Sequence, residues 1–265
     1  MSSAEVNGFT VNYRRGGSGP RLLYLNGSGT TLAGTAPLLK SFDGQFDLLA
    51  FDHRGMGEST SPPAPWTMAD HAADALALMD HVGWASCRVV GVSFGGMVAQ
   101  ELAVTAPERV ERLALLCTSP GGAGGSSYPL HELADLSIDE KLARYPLLLD
   151  TRFTPEFLAA DARGRAIAQV MTGRMSTERT PDQVWGEAQQ MIARQGHDVW
   201  DRLGAITCPT LVACGETDGI APRANSEAIV SRVPSAELRA YEGGHAFFVQ
   251  DRSAFPEIVE FLAHP

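Results

Sequence analysis

Gly91-Val92-Ser93-Phe94-Gly95-Gly96 lies where an apolar, β-branched run, Cys87-Arg88-Val89-Val90-Gly91-Val92, meets a helix-compatible one, Gly96-Met97-Val98-Ala99-Gln100-Glu101-Leu102-Ala103. Ser93 therefore falls at a sharp strand-to-helix turn, the context that a G-x-S-x-G nucleophile elbow requires. Such a turn holds its serine in a strained backbone conformation. It closes only if the residues two before and two after carry no side chain, and Gly91 and Gly95 meet that condition. The same geometry aims the hydroxyl at a helix N-terminus, where unpaired N–H groups and the helix dipole favour an oxyanion. Glycine-serine turns also serve as phosphate-holding or purely structural loops, and the flanking strand and helix are what favour catalysis here.

Working outward, a chain of 265 residues suits one large α/β domain or such a domain carrying an inserted lid. With 44% hydrophobic and 20% charged residues it can bury a full core. A net charge of −10 argues against nucleic acid or an anionic membrane surface as partner. No apolar run reaches the ~18 residues of a spanning helix, and Met1-Ser2-Ser3-Ala4-Glu5-Val6-Asn7-Gly8 lacks a basic-then-apolar leader. A cytoplasmic monomer or homodimer acting on a small molecule is the expectation. Cys87, Cys117, Cys208 and Cys214 lie in or beside apolar runs with no metal-ligand spacing, and read as reduced core residues.

The chain before the elbow begins with alternation at Phe9, Val11 and Tyr13, which predicts an antiparallel hairpin turning at Asn7-Gly8. Leu22-Leu23-Tyr24-Leu25 predicts a buried strand ending in the turn Asn26-Gly27-Ser28-Gly29. A helix near 35–42 and a strand over 46–51 follow, up to Asp52-His53-Arg54-Gly55-Met56-Gly57-Glu58-Ser59. In that loop Asp52 and Arg54 are expected to pair with each other, and His53 to be structural. Thr67 or Asp70 can cap a helix with an apolar stripe from Ala72 to Val82, leaving His71 and His81 at the surface.

Beyond the elbow, Leu113-Ala114-Leu115-Leu116-Cys117 predicts a further strand, and repeated alternation of strand and helix indicates a parallel sheet covered on both faces. Residues 120–127 read as a flexible glycine-serine connection. Segments 137–149, 155–173 and 181–196 read as helices, with Pro146, Pro155 and Pro181 as breaks. The sheet resumes at Pro209-Thr210-Leu211-Val212-Ala213-Cys214, continues with a helix over 222–233 and a strand over 237–241, and closes with a helix over 253–263. The reading is thus an α/β core of residues 1–119 and 201–265, with a mostly parallel eight-stranded sheet and a helical lid, 120–200, inserted after the sixth strand.

A serine nucleophile needs a base within hydrogen-bond reach and an acid to orient that base. Asp218 and His245 both sit on loops after predicted strands, where the ligand crevice of an open α/β sheet lies. Together with Gly215-Glu216-Thr217-Asp218, Ile220-Ala221-Pro222 and Gly243-Gly244-His245, the motifs around Ser93 and Asp52–Ser59 make the whole chain similar to a lidded α/β-hydrolase. Within that superfamily it most resembles the 3-oxoadipate enol-lactone hydrolases and related esterases. The resemblance implies Ser93 as nucleophile, His245 as base and Asp218 as acid, with oxyanion donors from the backbone N–H of Ser28 and Phe94, and no metal or organic cofactor. The family usually has His-Gly where this chain has Asn26-Gly27. Asn26 and the lid residue Trp185 are candidates for substrate contact. Hydrolysis of a carbon–carbon bond, or slow ligand binding on the same fold, are the alternatives. A carboxylate-bearing lactone would need a cation, and Arg144, Arg152, Arg163, Arg165, Arg174 and Arg179 of the lid are candidates.

Overall fold

Period-2 and continuous apolar runs dictate the sheet, and in the computed structural model, which describes residues 1–173 and 179–264, they pair in one layer. β1 (Ser2–Val6) and β2 (Phe9–Gly17) form the hairpin, with Asn7 and Gly8 at φ 46° and 81°, the left-handed pair that a tight two-residue turn needs. β3 (Arg21–Leu25), α1 (Leu32–Lys40), β4 (Asp47–Phe51), α2 (Met68–His81), β5 (Cys87–Val92), α3 (Phe94–Thr105) and β6 (Val110–Leu116) then alternate. Next come α4 (Ile138–Leu149), α5 (Pro155–Ala160), α6 (Ala162–Gly173) and α7 (Pro181–Gln195). β7 (Thr210–Gly215), α8 (Arg223–Arg232), β8 (Ala236–Tyr241), α9 (Phe247–Gln250) and α10 (Ala254–Ala263) complete the chain.

The eight strands lie in the order β1-β2-β4-β3-β5-β6-β7-β8, with β1 and β2 antiparallel to their neighbours and the rest parallel. Because side chains alternate along a strand, Leu23, Leu25, Leu49, Val89, Leu113 and Leu115 face α2 and α3. Leu22, Tyr24, Leu48, Val90, Ala114 and Leu116 face α1 and α10 on the other side. Each fully buried aliphatic side chain contributes about 1.5–3 kcal/mol, so this double face is where the stability resides. Thr67 and Asp70 cap α2 reciprocally, each satisfying a backbone N–H of the other. Among the described residues no helix is long and apolar enough to cross a membrane, and all four cysteines are free and buried.

Five local expectations are corrected. α1 starts at Leu32 because Thr31 caps it, three residues before the expected start. Pro146 does not break α4. The capping box of Ser137 and Glu140 starts that helix two turns earlier, and burial of Tyr145 and Leu149 offsets the one backbone bond that a proline removes. The segment 155–173 divides at Asp161, whose carboxylate accepts from Gly164 N–H at 2.5 Å and so opens a new helix. The 120–127 connection is fastened: Gly121 bridges to Asp198, and Val199 N–H donates to Pro120 O at 3.0 Å. A Cβ on Gly121 would lie 2.0 Å from His197 O, so its glycines serve close approach. Finally, His71 is fully buried, packed on His53, Trp66 and Phe94.

The chain between β6 and β7 lies against the loops at the C-terminal ends of the strands. At one side Gly219 N–H donates to Leu148 O and His245 N–H to Leu149 O, tying the end of α4 to the loops after β7 and β8. At the other side Gln190 of α7 accepts from Gly29 N–H at 2.9 Å, and Gly186 packs so closely on Gly55 that a Cβ there would meet Gly55 O at 2.2 Å.

Candidate active site

Ser93 is the residue between β5 and α3, and its φ of 55° and ψ of −113° are a conformation that non-glycine residues rarely adopt. The glycines around it leave no alternative. A Cβ on Gly91 would come 2.3 Å from Gly95 O, and one on Gly95 would come 2.1 Å from Leu25 O. The strain is held by the sheet: Ser93 N–H donates to Leu116 O at 2.8 Å, and Thr118 Oγ1 donates to Ser93 O at 2.9 Å.

The loop after β8 brings His245 Nε2 to 2.9 Å from Ser93 Oγ. On its other side His245 Nδ1 lies 2.8 Å from Asp218 Oδ2, on the loop after β7. The remaining oxygen of Asp218 accepts from the N–H groups of Ile220 at 2.7 Å and Ala221 at 2.9 Å, which fixes its orientation. All three residues are buried. With Nδ1 donating to the carboxylate, Nε2 presents its lone pair to the serine hydroxyl, the tautomer required for proton removal.

Cys117 Sγ, a carboxylate oxygen of Asp218 and a ring nitrogen of His245 lie within 4.8 Å of one another. This group does not suit a cation. Burial raises the Cys117 thiol well above its ordinary value, so it stays protonated, and the Asp218 oxygens are already occupied.

The Asn26–Gly29 turn passes beside Ser93, since a Cβ on Gly27 would lie 3.7 Å from Ser93 Cβ. Phe94 opens α3, which leaves its N–H among the unpaired donors of a helix start, while its ring is buried against His53 and His71 at 5.5 and 5.0 Å. Asn26 supports the loop in this structure. Its side chain is fully buried, Nδ2 reaches Phe51 O at 3.4 Å, and its own carbonyl accepts from His53 Nε2 at 3.3 Å. Asp52 and Arg54 do not pair with each other. Asp52 accepts from Asn12 Nδ2 and Leu32 N–H, both at 2.7 Å, whereas Arg54 forms a buried two-point pair with Asp74 at 2.6 and 2.7 Å. Trp185 stands edge-on to Trp66 at 5.1 Å and is 40% exposed, seating α7 on the loop after β4.

Of the arginines that the sequence reading singled out, Arg144 is exposed, and Arg152 pairs with Asp150 and Glu242. Arg163 and Arg165 donate to backbone carbonyls, and Arg179 pairs with Glu187. Arg174 lies outside the described residues. Arg194, which that reading passed over, is the buried one. Asp150 and Gln190 were also missed. Asp150 accepts from Thr217 Oγ1 and Gln250 Nε2, both at 2.8 Å, and so joins the end of α4 to the loops that carry Asp218 and His245.

Three buried histidines give the fold a pH dependence. Burial lowers His53 and His197 to about 4, and His71 well below its ordinary value. Below the unfolded value of about 6.5 the unfolded chain binds protons that the native state refuses. Stability is therefore fully present above pH 6.5 and is lost as pH falls toward 4, by up to about 1.4 kcal/mol per pH unit for each histidine. Urea midpoints measured from pH 7 to 5, above the range where carboxylates titrate, should fall steadily. A flat series would mean that these rings reach water.

The profile of the alpha/beta hydrolase fold family matches residues 20–251. The chain is 28% identical over 244 residues to a poly(3-hydroxyalkanoate) depolymerase of Ectopseudomonas oleovorans, covering 91% of this chain and 83% of the relative. It is 26% identical over 242 residues to 3-oxoadipate enol-lactonase 2 of Acinetobacter baylyi, covering 91% and 87%. Among solved structures, Est816, an N-acyl homoserine lactone degrading enzyme, is similar with a TM-score of 0.81 at 26% identity, covering 98% of this chain and 99% of that one.

Proposed function

Because the chain belongs to the α/β-hydrolase fold family, we propose that it is a serine hydrolase that cleaves an ester or lactone bond of a small molecule through an acyl-enzyme. The observation that carries this reading is the unbroken line of hydrogen bonds from Ser93 Oγ through His245 to Asp218. Ser93 Oγ bonds to the carbonyl carbon as its proton passes to His245 Nε2. The oxyanion rests on the N–H groups of Phe94 and Ser28, in a setting where each such donor is worth about 10²–10³ in rate. As the carbon–oxygen bond breaks, the imidazolium returns the proton to the leaving oxygen. Water then attacks the acyl-enzyme, His245 takes its proton, and the carboxylic acid departs with Ser93 restored. Similarity to enzymes named for lactone cleavage favours a cyclic ester, such as an enol-lactone, as the natural substrate.

A lactone keeps its leaving oxygen on the acyl group, so it releases no first product. An aryl ester separates the two steps. Rapid mixing with p-nitrophenyl acetate should give a burst of p-nitrophenol equal to the enzyme concentration, with a +42 Da adduct on the Ser93 peptide, about the mass of one acetyl group less a proton. An acetyl adduct carried by another residue, or Ser93→Ala turning over at the parent rate, would overturn the reading.

A further inference from the structure

In a chain of net charge −10, one cavity holds a cation and no acid. It measures about 140 Å³, and its walls include Met97, Ser119, Ser126, Ser127, Arg194 and His197, with no carboxylate among its lining residues. Ser119 on its wall follows Thr118, whose hydroxyl donates to Ser93 O at 2.9 Å, and Arg194 lies near enough to Asp218 to feel its charge. Arg194, near the end of α7, is only 8% exposed.

The partners of Arg194 are neutral. Nη2 donates to Ser127 Oγ at 2.7 Å and to Tyr128 O at 3.2 Å. Nη1 is buried without a partner, and among the described residues no carboxylate lies within ion-pair distance of the guanidinium. Burial lowers this group only to about 10, so it is charged at neutral pH. Its position at a helix C-terminus offsets part of the cost of burying that charge, but leaves Nη1 without an acceptor. A buried cation is stable only when paired. His197 cannot supply the charge, because its Nε2 faces Ser119 O at 3.1 Å and the ring is neutral. The charge of Asp218 reaches Arg194 only from beyond ion-pair distance, and that carboxylate is already bonded to His245 and to the N–H groups of Ile220 and Ala221, so a paired anion would have to come from outside the chain.

We infer that Arg194 and the hydroxyls of Ser126 and Ser127 bind a carboxylate carried by the substrate, so that the preferred ester or lactone is that of a short dicarboxylic acid. This rests on the hydrolase reading above and adds to it the second functional group of the substrate. A cavity of this size admits a carboxylate on a short tether.

Two esters of equal length test it, mono-p-nitrophenyl glutarate and p-nitrophenyl pentanoate, which differ in a terminal carboxylate against a methyl. For the parent enzyme the ratio of kcat/KM, acid over neutral, should exceed 10. Arg194→Met should lower that ratio 10- to 100-fold, mainly through KM for the acid ester, and Arg194→Lys should recover part of it. A ratio unchanged in Arg194→Met, or a parent enzyme that prefers the pentanoate, would overturn the inference. Calorimetry with glutarate on Ser93→Ala, which cannot turn over, decides the same question without catalysis: binding that vanishes in Ser93→Ala/Arg194→Met supports it, and equal or absent binding refutes it. Should Arg194→Met fail to fold, competition in the parent protein replaces it, glutarate but not pentanamide being expected to inhibit hydrolysis of the pentanoate. If neither ester turns over while glutarate still binds through Arg194, the hydrolase reading falls and the carboxylate site stands.

Discussion

Ser93→Ala should lower kcat for a p-nitrophenyl ester by about 10⁴–10⁶-fold while leaving the fold intact. In the proposed mechanism the triad acts as a unit, so removing its nucleophile costs nearly as much as removing all of it, and what remains is catalysis by binding and the oxyanion donors. The fold should survive because the constraint at this position is on the backbone. The φ of 55° is imposed by Gly91 and Gly95, and alanine meets the same conformation with one atom fewer. The lost hydrogen bond to His245 is worth about 1 kcal/mol net, so the urea midpoint should move little. Multiple turnover near the parent rate in this variant would remove Ser93 from the chemistry.

Asp218→Asn should cost about 10³–10⁴ in kcat, and the reason is a matter of which nitrogen carries the proton. The Ile220 and Ala221 N–H groups fix Oδ1 as an acceptor, so in the variant the amide oxygen stays there and the NH₂ group replaces Oδ2 opposite His245 Nδ1. Two donors would then face each other unless the imidazole moves its proton to Nε2. That tautomer presents N–H to Ser93 and cannot accept the hydroxyl proton. The geometry would be preserved and the base disabled. A loss below tenfold would show that a different carboxylate orients the ring, Glu216 being the nearest in sequence.

The elbow was legible because it is a local device. Gly91, Ser93 and Gly95 answer one steric requirement within five residues, and the apolar runs on either side fix its register in the sheet. What could not be read was anything decided by chain returning from far away. His71 looked exposed because α2 was judged by its stripe from Ala72. In fact His71, Ala75 and Leu78 follow at i, i+4 and i+7, and the loop carrying His53 and Trp66 covers that face. Arg54 was assigned to Asp52, two residues away, when its partner Asp74 sits a helix later, where burial rewards a two-point pair. The helix through Pro146 and the division of 155–173 have a different reason: caps at Ser137 and Asp161 outweigh the usual effect of proline and the continuity of an apolar pattern. Arg194 is the clearest case. As a helix-end arginine among seven in the inserted segment it carries no distinguishing pattern, and only its enclosure by Ser127 and Tyr128, more than sixty residues earlier, sets it apart.

The spacing of the hydrogen-bonded line along the chain has a consequence for biosynthesis. His245 stands 152 residues after Ser93 and 27 after Asp218. At about 5–20 residues per second, a ribosome needs roughly 8–30 seconds after making the serine before it makes the histidine. The strands β3, β5 and β6 can pair during that interval, because their partners have already emerged, yet the hydroxyl has no base to give its proton to. With Ser93 and His245 in the roles proposed above, any nascent polypeptide that ends short of the loop after β8 is expected to be silent toward esters, whatever part of the sheet it has built. On the proposed mechanism, activity waits for the residues that follow β8, so a product truncated before His245 would be inert rather than indiscriminate.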